Sequence, residues 1–275
     1  MMLVDFADIY CTAVHGSDGY REQLRVLANR LPWRVHDLSP SAISEYLSGA
    51  LRKLSPTTVA NHRRMLLTLL RAAQRDGLAR HSTDEVRRVK HFFPPVRAWT
   101  LDELSNLVRH AKAMPGSTKK YPCPYSTLMP AWVLTGYSSG LRRGDLLRIR
   151  WDELRGDRLQ ILMSKTNSVH VSILDQPALE SLGRLPRYDR IIFGTIISVD
   201  QIKKVMRRLI QRAGLEGSGK YLRRSSATYA ELSGISASFQ LGHKTPGMAW
   251  RHYVDQVILA ERRKPVPSIP QAAAG

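Results

Sequence analysis

The chain has 275 residues, 43% of them hydrophobic, which is enough to bury a core in one large domain or two ordinary ones. A net charge of +19 points to a polyanionic partner, most often nucleic acid, the blander alternative being a ribosome-associated or merely basic protein. Cys11 and Cys123 lie far apart without further Cys or His at ligand spacing, which excludes a zinc site and a disulfide framework, and no segment approaches transmembrane length.

Residues 3–31 place Phe6, Ile9, Tyr10 and then Leu24, Leu27, Leu31 at helical spacings, interrupted near His15–Gly19, and predict two helices. Asp5 and Asp8 stand where a signal peptide would carry basic residues, so a cytoplasmic, nucleoid-associated protein is expected. Ser39 with Pro40 opens a third helix with the stripe Ile43, Tyr46, Leu47, Leu51. Ser55 with Pro56 opens a fourth, whose apolar face Val59, Met65, Leu66, Leu69, Leu70 runs until Gly77. Arg63, Arg64 and Arg71 on that helix form either a set of DNA-phosphate contacts or an ordinary solvated face.

Residues 79–98 combine basic side chains with Pro94–Pro95 and lack a clean period, which sets a domain boundary. The expected division is a helical domain over 1–80, a linker over 81–97, a second domain over 98–262 and a flexible tail over 263–275. Thr100 and Glu103 make a capping box for the next helix. A Pro- and Gly-rich loop, 114–125, precedes an apolar helix around Leu128–Leu134. Gly140–Trp151, GLRRGDLLRIRW, then sets two adjacent arginines at a glycine-marked turn before an apolar run of helical period. Beyond it, 158–163 and 169–174 read as a β-hairpin with Lys165 at its turn. Helices resume near Pro177–Leu182, Val199–Ala213 and Tyr221. Charge is uneven along the chain: residues 1–95 carry +5 and 96–275 carry +14, so the second part should hold the main phosphate-binding surface.

Three stretches carry the chemistry: GLRRGD around Arg142, KYLRRSSAT over 220–228, and LGHKTPGMAWRHYVD over 241–255. Together they resemble the tyrosine recombinase (phage integrase) family. That family has an arginine after Gly-Leu with an acidic residue three further on, a lysine on a hairpin turn, a His-x-Leu-Arg box opening a helix, Leu-Gly-His, and a nucleophilic tyrosine shortly downstream. The matching residues here are Arg142 with Asp145, Lys165, Leu222–Arg223, Leu241–Gly242–His243, and Tyr253 ten residues after His243. Each match alone is weak; in this order they are specific.

The resemblance implies a mainly α protein with a small β-sheet: a helical core-binding domain followed by a mixed α/β catalytic domain, closing as a clamp on duplex DNA. It implies a site-specific recombinase that cleaves and rejoins DNA through a 3′-phosphotyrosyl intermediate, without ATP, metal or other cofactor, as a homotetramer on paired sites. Attack at phosphorus builds charge on its oxygens, and arginine's planar fork meets that charge without ever deprotonating, so Arg142 and Arg223 are the expected clamp. Arg143 and Arg224 are the alternatives, expected as DNA-backbone or surface residues. Tyr253 would be the nucleophile, Lys165 the acid for the leaving 5′-oxygen, and His243 a phosphate or proton partner. Asp145 either orients Arg142's turn or caps the helix start.

Lys220 stands where the family most often has histidine, although some members carry lysine. With an ordinary pKa of about 10.4, lysine suits charge stabilisation better than proton acceptance. VDQVILAERRK, after Tyr253, is either a docking segment for a neighbouring protomer or a solvated helix end. No P-loop, GxGxxG, HExxH or GxSxG pattern competes, and neither a membrane nor a small-molecule substrate is expected. Two other classes remain open: a non-catalytic DNA-binding protein with this fold, and a type IB topoisomerase-like nicking-closing enzyme.

Overall fold

The computed structural model describes residues 1–14, 16–90, 94–243 and 245–262. It divides into two compact units, Met1–Pro94 and Pro95–Gly275. The tail expected over 263–275 lies outside the described residues, as do 91–93 of the expected linker.

The first unit is all helical: α1 (Leu3–Ala13), α2 (Asp18–Asn29), α3 (Pro40–Leu51) and α4 (Pro56–Arg75). Ser17, Ser39 and Ser55 each accept a backbone N–H at the start of α2, α3 and α4, satisfying donors that a helix start leaves free. Leu3 and Phe6 of α1, Leu24 and Leu27 of α2, Ile43 of α3, and Val59, Leu66, Leu69 and Leu70 of α4 form the core. Ile9 and Leu51 depart from their expected stripes and are exposed. In α1 the buried face passes through Ala7 and Cys11, leaving Ile9 on the far side. Val86, within the expected linker, packs into this core, whereas Ala98 and Trp99 are buried in the second unit.

The second unit is helical with one small sheet. Its helices are α5 (Leu101–Lys112), α6 (Tyr125–Ser139), α7 (Arg143–Leu146), α8 (Gln176–Gly183), α9 (Val199–Arg212), α10 (Lys220–Leu232), α11 (Ala237–Gln240), α12 (Pro246–Tyr253) and α13 (Gln256–Arg262). The sheet contains β1 (Leu154–Arg155), β2 (Arg158–Met163) and β3 (Ser168–Ile173), antiparallel in the order β1-β2-β3. β2 and β3 are the expected hairpin, Met163 opposite Ser168, with Lys165 in the turn; β1 is additional. The Thr100–Glu103 capping box is present.

The helical period of DLLRIRW does not make a long helix, since α7 ends at Leu146. Beyond it the Ile149 carbonyl accepts the Ile192 N–H at 2.9 Å, and the Trp151 N–H donates to Arg190 at 2.9 Å. Pairing with residues 190–192 therefore draws this segment into an extended path while Leu146, Leu147 and Ile149 stay buried. Among the described residues, no helix is long and apolar enough to cross a membrane.

Candidate active site

The site forms where three turns of the second unit meet. Helix α6 ends at Gly140, whose φ of +62° is left-handed, and a Cβ there would lie 2.9 Å from Ser226 Oγ and 3.0 Å from Leu241 Cδ2. Glycine alone allows this approach, and it places Arg142 at the N-cap of α7, next to α10 and the 241–243 turn.

Arg223 lies in the first turn of α10 and is 5% exposed. Its Nη1 donates a short hydrogen bond to the Gly140 carbonyl, and its Nη2 donates to Leu241 O at 3.0 Å. Burial, and then the charge of Arg142, push its pKa down to about 10, against the raising effect of Tyr253, so the guanidinium stays cationic at neutral pH.

Both arginines converge on one atom, with Arg142 Nη2 3.2 Å and Arg223 Nη2 2.9 Å from His243 Nε2. Guanidinium can only donate, so Nε2 is the acceptor and the neutral imidazole carries its proton on Nδ1. Burial, then the charges of Arg223, Arg142 and Lys165, push the His243 pKa down to about 4. Nδ1 is buried and has no hydrogen-bond partner among the described residues. Tyr253 closes α12, its ring centroid 5.2 Å from that of His243 and 5.0 Å from the Arg223 guanidinium carbon. Such spacing allows a cation–π contact.

Asp145 is fully buried and joins two of these elements. Its Oδ1 accepts the Ser164 N–H at 3.0 Å, the Ser164 hydroxyl at 2.7 Å and Arg148 Nη2 at 3.0 Å, while Oδ2 lies 3.9 Å from Arg142 Nη1. Burial raises its pKa, but the Ser164 and Arg148 hydrogen bonds outweigh it and the net shift is downward. The carboxylate thereby links Arg142 to the hairpin turn carrying Lys165, rather than capping α7.

The structure thus gathers Arg142, Arg223, His243 and Tyr253, with Asp145 behind Arg142. Lys165 is exposed on the turn and enters through its charge on His243. Lys220 is exposed at the first position of α10. Arg143 is exposed, while Arg224 lies over the Tyr221 ring at 5.1 Å and donates to the Arg97 carbonyl. In the first unit Arg64 and Arg71 are exposed, but Arg63 donates to the carbonyls of Val86 and Arg87 at 2.6 and 2.8 Å.

His170 was not singled out by the sequence pattern, yet it is buried beside the site and bonded to Ser172 at 2.9 Å. A Cβ on Gly242, whose φ is +61°, would meet Met163 Cε at 2.6 Å and His170 Nδ1 at 2.9 Å. The inward phase of β3, which alternates His170 and Ser172 toward the core, is the signal that finds it.

No protein-family model and no curated protein matches the sequence. The structure is similar to that of a lambda integrase (75–356) dimer bound to a COC' core site, with TM-score 0.75 and 21% identity over 98% of this chain and 100% of that one. It is also similar to the Tn1549 transposon integrase in complex with circular intermediate DNA, with TM-score 0.72 and 14% identity over 96% and 100% of the two chains. XerH recombinase bound to difH matches with TM-score 0.63 and 14% identity over 94% of each chain. With its helical first unit and its small antiparallel sheet among the helices of the second, the chain has the tyrosine recombinase/integrase fold.

Proposed function

We propose that the protein is a site-specific DNA recombinase that breaks and rejoins strands through Tyr253. The observation that carries this reading is the convergence of Arg142 and Arg223, from separate segments, on His243 Nε2 beside the Tyr253 ring. Neighbouring folds bound to core-site, circular-intermediate and difH DNA support double-stranded DNA as the partner, and a lambda integrase tetramer on a Holliday junction supports assembly as a homotetramer on paired sites. Residues 1–80 would act as the core-binding domain and 98–262 as the catalytic domain, with Arg64, Arg71 and Arg143 as exposed contacts to the DNA backbone.

On this reading a scissile phosphate takes over the guanidinium N–H donors that His243 Nε2 accepts without DNA. Two fixed cations then meet the charge that develops on the non-bridging oxygens. The Tyr253 oxygen forms a bond to phosphorus as the P–O5′ bond breaks. Lys165 supplies a proton to the departing 5′-oxygen, and the freed Nε2 of His243 takes up the phenolic proton. Lys220, one turn before Arg223, contacts phosphate. Return attack by a 5′-hydroxyl reseals the strand, so no ATP, metal or other cofactor is consumed.

A pool of duplexes with a randomised core and a nick close to the scissile position tests this. Loss of the short fragment traps any phosphotyrosyl adduct, which survives detergent. The wild-type chain should yield adducts that map to Tyr253, Tyr253→Phe should yield none, and Arg142→Ala should reduce the yield at least about a hundredfold. Absence of a wild-type adduct, or an undiminished one in Tyr253→Phe, would overturn the reading.

A further inference from the structure

Tyr253 is the last residue of α12, and a phenol at the end of a short helix is held only as firmly as the chain that leaves it. That exit is fastened two residues later by Asp255, which is 4% exposed. Its Oδ2 accepts the Ala98 N–H at 2.8 Å, and its Oδ1 accepts the N–H groups of Val257 at 3.0 Å and Ile258 at 3.4 Å, capping α13. Its own N–H donates to Thr228 Oγ1 on α10 at 2.9 Å, and that hydroxyl donates to the Arg224 carbonyl.

Around this carboxylate three segments are pinned together: the entry of the second unit at Ala98, the helix that carries Arg223, and the chain leaving Tyr253. Val254, between the tyrosine and the aspartate, is buried with Ala227, Leu241, Ala249 and Leu259. Trp99, after Ala98, donates its N–H to Ser225 Oγ at 2.9 Å, so the entry segment is itself fixed to α10. No lysine or arginine pairs with Asp255 among the described residues; backbone N–H groups alone hold it.

We propose that Asp255 is a positioning residue for the nucleophile, fixing the exit from α12 to the helix that carries Arg223 so that the phenol and guanidinium share one frame. This rests on Tyr253 being the nucleophile. Both carboxylate oxygens are occupied as acceptors, so asparagine would set an amide N–H against one of the N–H donors. A serine, by contrast, keeps a cap on α13 but is too short to reach Ala98.

The test uses the full chain and the nicked duplex recovered with the wild type. Adduct formation is followed in a single turnover at saturating protein, with the dissociation constant and melting temperature measured alongside. Asp255→Ser should slow adduct formation about ten- to a hundredfold, the scale of a misplacement of about 1 Å, with DNA affinity within about twofold of wild type. Thr228→Val, which removes the acceptor for the Asp255 N–H, should also slow the reaction. The double variant should lose less than the product of the two, because both substitutions free the same segment.

A wild-type rate in folded Asp255→Ser, or a loss of rate that only follows loss of DNA binding or of folded protein, overturns the positioning role. If Asp255→Ser does not fold, an unchanged rate in Thr228→Val overturns it. Failure of the wild type itself to form an adduct at Tyr253 overturns the reading of function instead, so the two failures are distinguishable.

Discussion

At the scale of single residues, the site works by setting charges against each other. His243 accepts from two cations, and below its ordinary pKa of about 6.5 the unfolded chain binds a proton that the folded imidazole refuses until about pH 4. The stability contributed by the neutral ring is therefore complete above about pH 6.5 and lost as pH falls towards 4. Partial solvent access keeps the contribution to about 1 kcal/mol. Urea unfolding of the DNA-free protein at about pH 7 and about pH 4.5 should show this acid loss, and His243→Gln should reduce it; an equal loss in the variant would exclude His243 as a source. Burial and the charge of Arg223 push the His170 pKa the same way, so some acid sensitivity should persist in His243→Gln. Arg142 and Arg223 could be singled out from the sequence by motif position. The Arg224 side chain takes another direction, over Tyr221 to the Arg97 carbonyl.

At the scale of elements, turns rather than helices build the pocket. Gly242 carries His243 out of a left-handed turn whose missing side chain admits Met163 and His170 from the hairpin. Gly242→Ala should cost about 1 to 3 kcal/mol, because it adds strain at positive φ to a clash that the methionine tip can yield to but the buried imidazole cannot. A melting temperature lower by several degrees would bear this out; a wild-type melt would show that the turn and sheet adjust freely. The hairpin and its Lys165 turn were legible from β-branched residues flanking a polar turn. The short α7 was not, because Ile149, Arg150 and Trp151 pair with residues 190–192, a partner segment far along the chain, which draws the run out of the helix. Within residues 254–262 of the segment after Tyr253, Val254, Ile258 and Leu259 are buried against their own chain, while Gln256 and Val257 face solvent.

At the scale of the whole molecule, the proposed function makes association depend on charge. The net charge of +19, with +14 in residues 96–275, predicts DNA binding that releases counterions. Raising KCl from about 50 to about 200 mM should weaken binding about a thousandfold or more, measured by fluorescence anisotropy on duplex DNA. An affinity insensitive to salt would show that few phosphates are neutralised.

The sequence by itself determined the helical periods, the serine caps, the hairpin, the segregation of charge and the order of the motif residues, because each depends on neighbours a few positions away or on composition alone. Tertiary structure decided which polar groups pair with one another. Arg63 turns to the carbonyls of Val86 and Arg87, Asp145 reaches Ser164, Asp255 reaches Ala98, and Arg142 meets Arg223 at His243. These partners are far apart in sequence, and only packing of the core and the close backbone approaches at Gly140 and Gly242 bring them within hydrogen-bonding distance.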